Sequence, residues 1–232
     1  ISHRINDLLY YQNSISRSLS RFLKDEEVET GIYEILKDIL AFYRAGRASI
    51  FETDEENHFY NCTYEVVAEG VKAEINKLQE IPVDFMRWWT SQILGKKPIL
   101  FERLKPMPGM GQGEYEVLSR QGIKALMATP LVVNDHVYGF MGVDLVDGSA
   151  SWSDEDYRSL SSLANVISIC LELRRAKEKV IFEQAALARS ERLFKNIFAN
   201  IPAGVEIYDK EGNLVDLNER DMDILGISDK SE

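Results

Sequence analysis

Apolar residues at the start of the chain fall at Ile1, Ile5, Leu8, Ile15, Leu19 and Phe22, in alternating steps of four and three broken only by Gln12. That spacing predicts a coiled-coil-like helix over residues 1–24. Asp25 and Glu26 open a second amphipathic helix with Val28, Ile32, Ile35, Leu36, Ile39 and Leu40 on one face and Gly46 just past its end. Beyond it the period drops to two. Residues 47–53 and 59–68 read as strands joined by the polar turn 54–58, with Tyr60, Cys62, Tyr64 and Val66 expected on one face. Residues 71–78 are expected to form a short helix. Asp84 is the expected N-cap of another, carrying Phe85, Trp88, Trp89 and Ile93 up to Gly95.

A short strand at 98–102 leads into a loop with Pro106, Pro108, Gly109, Gly111 and Gly113, then a helix at 114–121 ending on Gly122 as a left-handed cap. Two strands, 123–133 and 137–147, turn at Asn134-Asp135, residues that tolerate the positive φ of a tight hairpin. Ser153 and Asp156 form a capping box, and Trp152 and Tyr157 fit a hydrophobic staple. From there neither Gly nor Pro occurs until Pro202, which predicts one long helix. Along it Val166, Leu173, Val180, Leu187, Phe194 and Ile201 repeat every seven residues, with Ile169, Ala176, Glu183, Ser190 and Ile197 three further on. The stripe is that of a coiled coil with a marginal middle, and with the N-terminal heptads it predicts a parallel homodimer. The fold class expected is α+β: a central antiparallel sheet with helices packed on it, long helices at both ends, and a hairpin at the C-terminus.

Charge and composition narrow the function. Lys and Arg number 27 against 38 Asp and Glu, a formal charge of −11, the wrong sign for coating nucleic-acid phosphates, so no nucleic-acid partner is expected. No apolar run approaches the ~18 residues that span a bilayer, so no membrane contact is expected in this segment. Two cysteines, Cys62 and Cys170, form neither a disulfide framework nor a metal set. A cytoplasmic location and no metal follow as expectations. The first residue is Ile1 and the last stretch, 228–232, is polar, which reads as a piece of a longer chain.

Three stretches carry a family resemblance: Ala128-Thr129-Pro130-Leu131-Val132-Val133, Val137-Tyr138-Gly139-Phe140-Met141-Gly142-Val143, and Trp152-Ser153-Asp154-Glu155-Asp156. With the order of elements around them they resemble the closing hairpin and last-helix entry of the GAF domain, a cytoplasmic sensor module, over residues 17–175. Residues 176–200 would then be a signalling helix. Ile201-Pro202-Ala203-Gly204-Val205, Tyr208-Asp209, Gly212-Asn213, Asn218 and Leu225-Gly226 resemble the first third of a PAS domain, over residues 201–232. This layout implies a sensor histidine kinase or a related two-component signalling protein as the parent. The segment itself, which has neither a phospho-acceptor histidine motif nor a glycine-rich ATP lid, is expected not to be an enzyme.

The resemblance places a ligand cavity between the sheet and the helical insert. Tyr60, Tyr64, Trp88, Trp89 and Phe101 come from the segments that bracket it, Met110 from the glycine-rich lid, and Met127, Thr129 and Asp144 from the closing hairpin. These are the candidate ligand-binding residues; no catalytic residue and no cofactor are assigned. Asp144 stands out as a charge on an otherwise apolar strand. The glycines of 109–113 lack a Walker lysine, and Glu114 would put a carboxylate where a phosphate should lie. The cyclic-nucleotide signature of some GAF domains is not met: Asp144-Leu145 stands near its Asn-Lys place and Asp156-Tyr157 replaces its Asp-Glu. Two functions remain open, a sensor that binds a small molecule or partner and signals through its helix, and a constitutive dimerising spacer whose cavity is filled.

Overall fold

The computed structural model describes residues 28–54, 58–106 and 108–227, so the helix expected over residues 1–24 lies outside the described residues. The chain divides into one unit ending at Arg174 and a second starting at Arg175. In the first unit, helix α1 (Val28–Tyr43) precedes the hairpin β1 (Arg47–Thr53) and β2 (Phe59–Val67). An insert follows, with β3 (Ile81–Pro82), α2 (Arg87–Leu94), β4 (Ile99–Phe101) and α3 (Gln112–Arg120). The hairpin β5 (Ala125–Val133) and β6 (His136–Leu145) leads into α4 (Asp154–Asn200), a helix of 47 residues. The six strands form one antiparallel sheet in the order β3-β2-β1-β6-β5-β4, which bears out the α+β expectation.

The sheet has two covered faces. On one, Ile32, Ile35, Leu36 and Ile39 of α1 and Leu160, Leu163, Ala164, Ile167 and Leu171 of α4 pack against Ala48, Ile50, Met141 and Val143. On the other, Trp89 and Ile93 of α2 and Leu118 of α3 pack against Tyr60, Leu126, Ala128 and Phe140. Each fully buried Ile or Leu contributes about 1.5–3 kcal/mol. The start of α4 is fixed as its sequence requires: the Ser153 amide donates to Asp156 at 2.8 Å and the Asp156 amide donates back to Ser153 Oγ at 3.1 Å. Asn134 and Asp135 turn the β5–β6 hairpin at φ 48° and 70°, and Gly122 follows α3 at φ 74°.

Local expectations fail in three places. Residues 71–78 give only a 3₁₀ turn, Ile75–Lys77, because neighbouring groups capture the backbone there: the Glu65 carboxylate accepts the amides of Glu74 and Ile75, and the Cys62 amide donates to Leu78. Asp84 is not an N-cap. It lies inside the 3₁₀ turn Val83–Met86, whose first carbonyl accepts the Thr90 hydroxyl, and α2 begins after Met86 with no side-chain cap. The third failure is the face shared by Tyr60, Cys62, Tyr64 and Val66. Ile50 pairs with Tyr64 but Phe51 pairs with Cys62, so Thr63 is an extra residue in β2. That bulge returns Tyr64 to the α1/α4 side, where it packs in the core with Ile50. Tyr60 stays on the insert side.

The second unit contains the part of α4 from Arg175 onward, the hairpin β7 (Glu206–Tyr208) and β8 (Leu214–Leu217), and α5 (Glu219–Leu225). Asn218 organises it from a buried position. Its Oδ1 accepts the amides of Val205 and Asp221, and its Nδ2 donates to the carbonyls of Phe198 and Ala203. Gly226 closes α5 in the left-handed conformation at φ 69°.

Gly139 tests the sheet's centre. It has φ 146°, and a Cβ there would lie 1.9 Å from the Phe51 carbonyl oxygen, whereas Gly122 at φ 74° has open space around it. Gly139→Ala should therefore cost about 3 kcal/mol or more in urea unfolding, and Gly122→Ala about 1 kcal/mol. Equal losses would mean that the close β1–β6 approach is not retained in solution.

Candidate functional site

β1 presents Ser49 and Phe51 to the insert side, and β6 presents Phe140, Gly142 and Asp144. With Tyr60, Met86, Trp89, Leu118 and Ala128 they enclose a cavity with about 70 Å³ of room for the centres of water-sized molecules. The Phe51 and Phe140 rings stack at 4.6 Å, and Tyr60 and Trp89 meet Phe140 edge-on at 5.3 and 5.1 Å. Aromatic side chains thus fill most of the space between sheet and insert. The Tyr60 hydroxyl donates to Thr90 Oγ1 at 3.2 Å, while the buried indole N–H of Trp89 has no acceptor among the described residues.

The polar end is formed by Asp144, Ser49 and Gln121. Arg47, the register partner of Asp144 on the neighbouring strand, donates from Nε to both carboxylate oxygens at 3.1 Å and from Nη2 to the Gln121 carbonyl at 2.9 Å. One guanidinium therefore neutralises the charge on β6 and caps the C-terminus of α3, where a cation is favoured. Burial pushes the Asp144 carboxyl up from its ordinary value while Arg47 pulls it back. Removing either partner of so enclosed a pair would cost about 3–5 kcal/mol.

Glu114 closes the insert. Its buried carboxylate accepts the Gly111 amide at the start of its own helix at 2.7 Å and the Trp89 amide in the first turn of α2 at 2.9 Å. One side chain thus satisfies amides at two helix N-termini, and it occupies the place an anion would need.

Of the residues expected to bind a ligand, the structure brings Tyr60, Trp89 and Asp144 to the cavity wall. Met127 borders the cavity, but its side chain belongs to the α1/α4 core. Thr129 lies two register pairs beyond Met127, opposite Met141 of that same core. Alternation along β5 turns odd-numbered positions away from the insert, so Met127 reaches the cavity only at its border, and the expectation for Thr129, which does not line it, is corrected. Tyr64 is corrected by the Thr63 bulge. Trp88, Phe101 and Met110 pack in or against the insert-side cluster without lining the cavity, the first two with ring centres 6.0 Å apart. Ser49, Phe51, Gln121, Phe140 and the Arg47 partner of Asp144 were missed. Alternation along β1 and β6, read outward from Asp144, was the signal for all but Gln121.

Both thiols are buried. Burial pushes Cys62 up to about 12, with Glu65 adding to the effect and Arg47 opposing it, and burial alone pushes Cys170 up to about 12. The folded protein thus keeps both thiol protons above pH 9, where the unfolded chain loses them. Stability from this source is whole below about pH 9 and is lost as pH rises toward 12. Replacing both cysteines by Ala should flatten part of the decline in unfolding free energy between pH 9 and 10, measured by urea titration at each pH. An unchanged slope would place the decline on other groups.

Residues 27–171 match the family described as GAF domain. The fold is similar to the phycocyanobilin-bound GAF domain from a cyanobacterial phytochrome, at 12% identity over 72% of this chain and 96% of that one, with a TM-score of 0.60. It is also similar to the Stigmatella aurantiaca phytochrome photosensory core module, at 16% identity over 79% of this chain and 40% of that one, TM-score 0.61. The blue-light absorbing form of the Thermosynechococcus elongatus PixJ GAF domain matches at 18% identity over 76% and 94%, TM-score 0.51. Among curated proteins none matches. At these identities the solved structures speak for the fold alone, and the family match spans well over half of the sequence: the chain belongs to the GAF domain family.

Proposed function

We propose that this chain is the sensory segment of a two-component signalling protein, in which the GAF domain responds to a small molecule and a dimeric α4 carries the response to a following PAS domain and a histidine kinase. The observation that carries the reading is the second apolar face of α4. Leu160, Leu163, Ala164, Ile167 and Leu171 are buried in the domain core, whereas Leu173, Val180, Leu187 and Phe194, spaced by seven, are 52%, 50%, 62% and 53% exposed. A helix whose own domain takes one face and leaves a heptad stripe on another is suited to pairing with a second copy of itself. Ile169, at the intermediate position, is 50% exposed as well. The stripe therefore begins before Arg175. The β7–β8 hairpin and the Asn218-capped α5 fit the start of a PAS fold.

A bilin of the kind named in one of the similar structures above does not fit this cavity. The cavity has about 70 Å³ of room, against roughly 300–1,000 Å³ for sites of drug-sized ligands, and both thiols are buried and protonated. The guest is instead a compact molecule of few heavy atoms, or a larger one that displaces the Phe51–Phe140 stack. It is uncharged, since Arg47 and Asp144 already satisfy each other. The segment contributes sensing and no catalysis, in a cytoplasmic parent. The alternative is a dimerising spacer, favoured by the aromatic filling of the cavity.

Native mass spectrometry of the fragment separates these readings. A dimer carrying a retained small molecule is the expected result, a bare dimer supports the spacer, and a monomer at tens of micromolar removes the coiled coil. In the full-length parent, one residue inserted after Ala185 rotates the downstream stripe by about 100° and should abolish output. Seven residues restore the phase at a cost of only about 10 Å in length and should keep it. Equal output from both insertions, with the GAF fold retained, would make the helix a passive spacer.

A further inference from the structure

We propose that Glu52, Arg174 and Tyr64 form a latch by which the state of the cavity governs the grip of the GAF domain on α4; the proposal rests on the sensory reading above. The latch lies at Arg174, the last residue of the first unit. Its Nη2 donates to Glu52 Oε2 at 2.8 Å and Oε1 at 3.0 Å, its Nη1 donates to the Tyr64 hydroxyl at 2.7 Å, and the guanidinium stands 5.8 Å from the Tyr64 ring centre. Glu52 is 4% exposed, so its carboxylate meets this guanidinium away from water. The beginning of α4 has its own anchor, the Tyr43 hydroxyl donating to the Asp156 carbonyl at 2.7 Å. Arg174 thus holds the far end of the segment that packs on the sheet.

The path from cavity to latch is a single peptide unit. Phe51 stacks on Phe140 in the cavity wall, and Glu52, the next residue of the strand, points to the opposite face, where α4 lies. A guest larger than a few waters has to move the Phe51–Phe140 stack, and a strand that turns at Phe51 turns at Glu52. The sheet is irregular where this turn would occur. Thr63, the extra residue of β2, sits between Tyr64 and Cys62, opposite the Ile50–Phe51 step, and its hydroxyl is buried with no partner among the described residues. On the other side Glu52 pairs with Gly139, whose missing side chain is what admits the Phe51 carbonyl. The Glu52 carboxylate and the Tyr64 phenol therefore flank the bulge, and a slip there displaces the two together. Because a buried carboxylate without its cation is costly, the latch has two states, closed or released with the carboxylate re-solvated.

The test uses this chain and needs no ligand, because a side chain can play the guest. Ala128 is 1% exposed and lines the cavity, so Ala128→Leu fills it from within. The readouts are amide hydrogen exchange over residues 168–180 and the Arg174 Nε–H resonance. Ala128→Leu should speed exchange at residues 171–178 by about five-fold or more and shift that resonance. In an Arg174→Met background exchange should already be fast, and adding Ala128→Leu should change it less than about two-fold; Glu52→Gln should behave as Arg174→Met does. If Ala128→Leu does not fold, Ser49→Val makes a smaller filling of the same wall. Equal acceleration in both backgrounds, or unchanged exchange in a filled and folded variant, overturns the latch while leaving the sensory reading to its own mass measurement. A fragment that retains no small molecule overturns that reading and leaves the latch standing.

Discussion

The strict alternation of β1 is the constraint on which the first unit is built. Arg47, Ser49 and Phe51 serve the insert side; Ala48, Ile50 and Glu52 serve the helix side. Each series carries one buried charge, and each charge meets its counterpart on a different element: Arg47 meets Asp144 on β6, and Glu52 meets Arg174 on α4. A one-residue slip of β1 would carry each charge into the opposite layer, away from its partner, and exchange the two buried sets, so the register is held by opposite charges as well as by packing. Since β1 lies between β2 and β6, it is also the strand through which the two layers are in mechanical contact.

The insert is held by few but strong interactions. Its helices are short, with eight residues in α2 and nine in α3, too short to be stable alone. They persist because Glu114 satisfies amides of both and Arg47 caps the second. The aromatic stack beneath them excludes water, which strengthens those charge-assisted bonds. The buried indole N–H of Trp89 has no acceptor among the described residues, a cost of about 1–3 kcal/mol.

Features set by neighbours in sequence were legible. The Ser153–Asp156 box, the Asn134-Asp135 turn, the left-handed Gly122 and the unbroken run of α4 all depend on local backbone chemistry, and each lies where the pattern put it. The carboxylate of Glu114 was legible as an obstacle to phosphate, though not as a tie between two helices, which requires knowing that α2 lies beside it. The cavity was half legible. Period-two reasoning holds only until an extra residue intervenes, and nothing about Thr63 announces a bulge; the result moved Tyr64 across the sheet. The strand alone does not say that Met127 and Thr129 face the helix side, whereas parity with Ser49 on β1 and Asp144 on β6 places Phe51 and Phe140 on the insert side. The Glu52–Arg174 pair spans 122 positions in the sequence, and no spacing rule reaches that far.

Cys62 lies in the strand next to the cavity and Cys170 in the helix on the opposite face. Neither sulfur meets solvent while its layer is closed, and neither ionises at neutral pH. Alkylating agents and peroxides attack the thiolate, so chemical damage to this protein is limited by how often a layer opens and not by how much oxidant surrounds it. Since the two sulfurs report on different layers, the order in which they become reactive as the protein is loosened records which side of the sheet yields first.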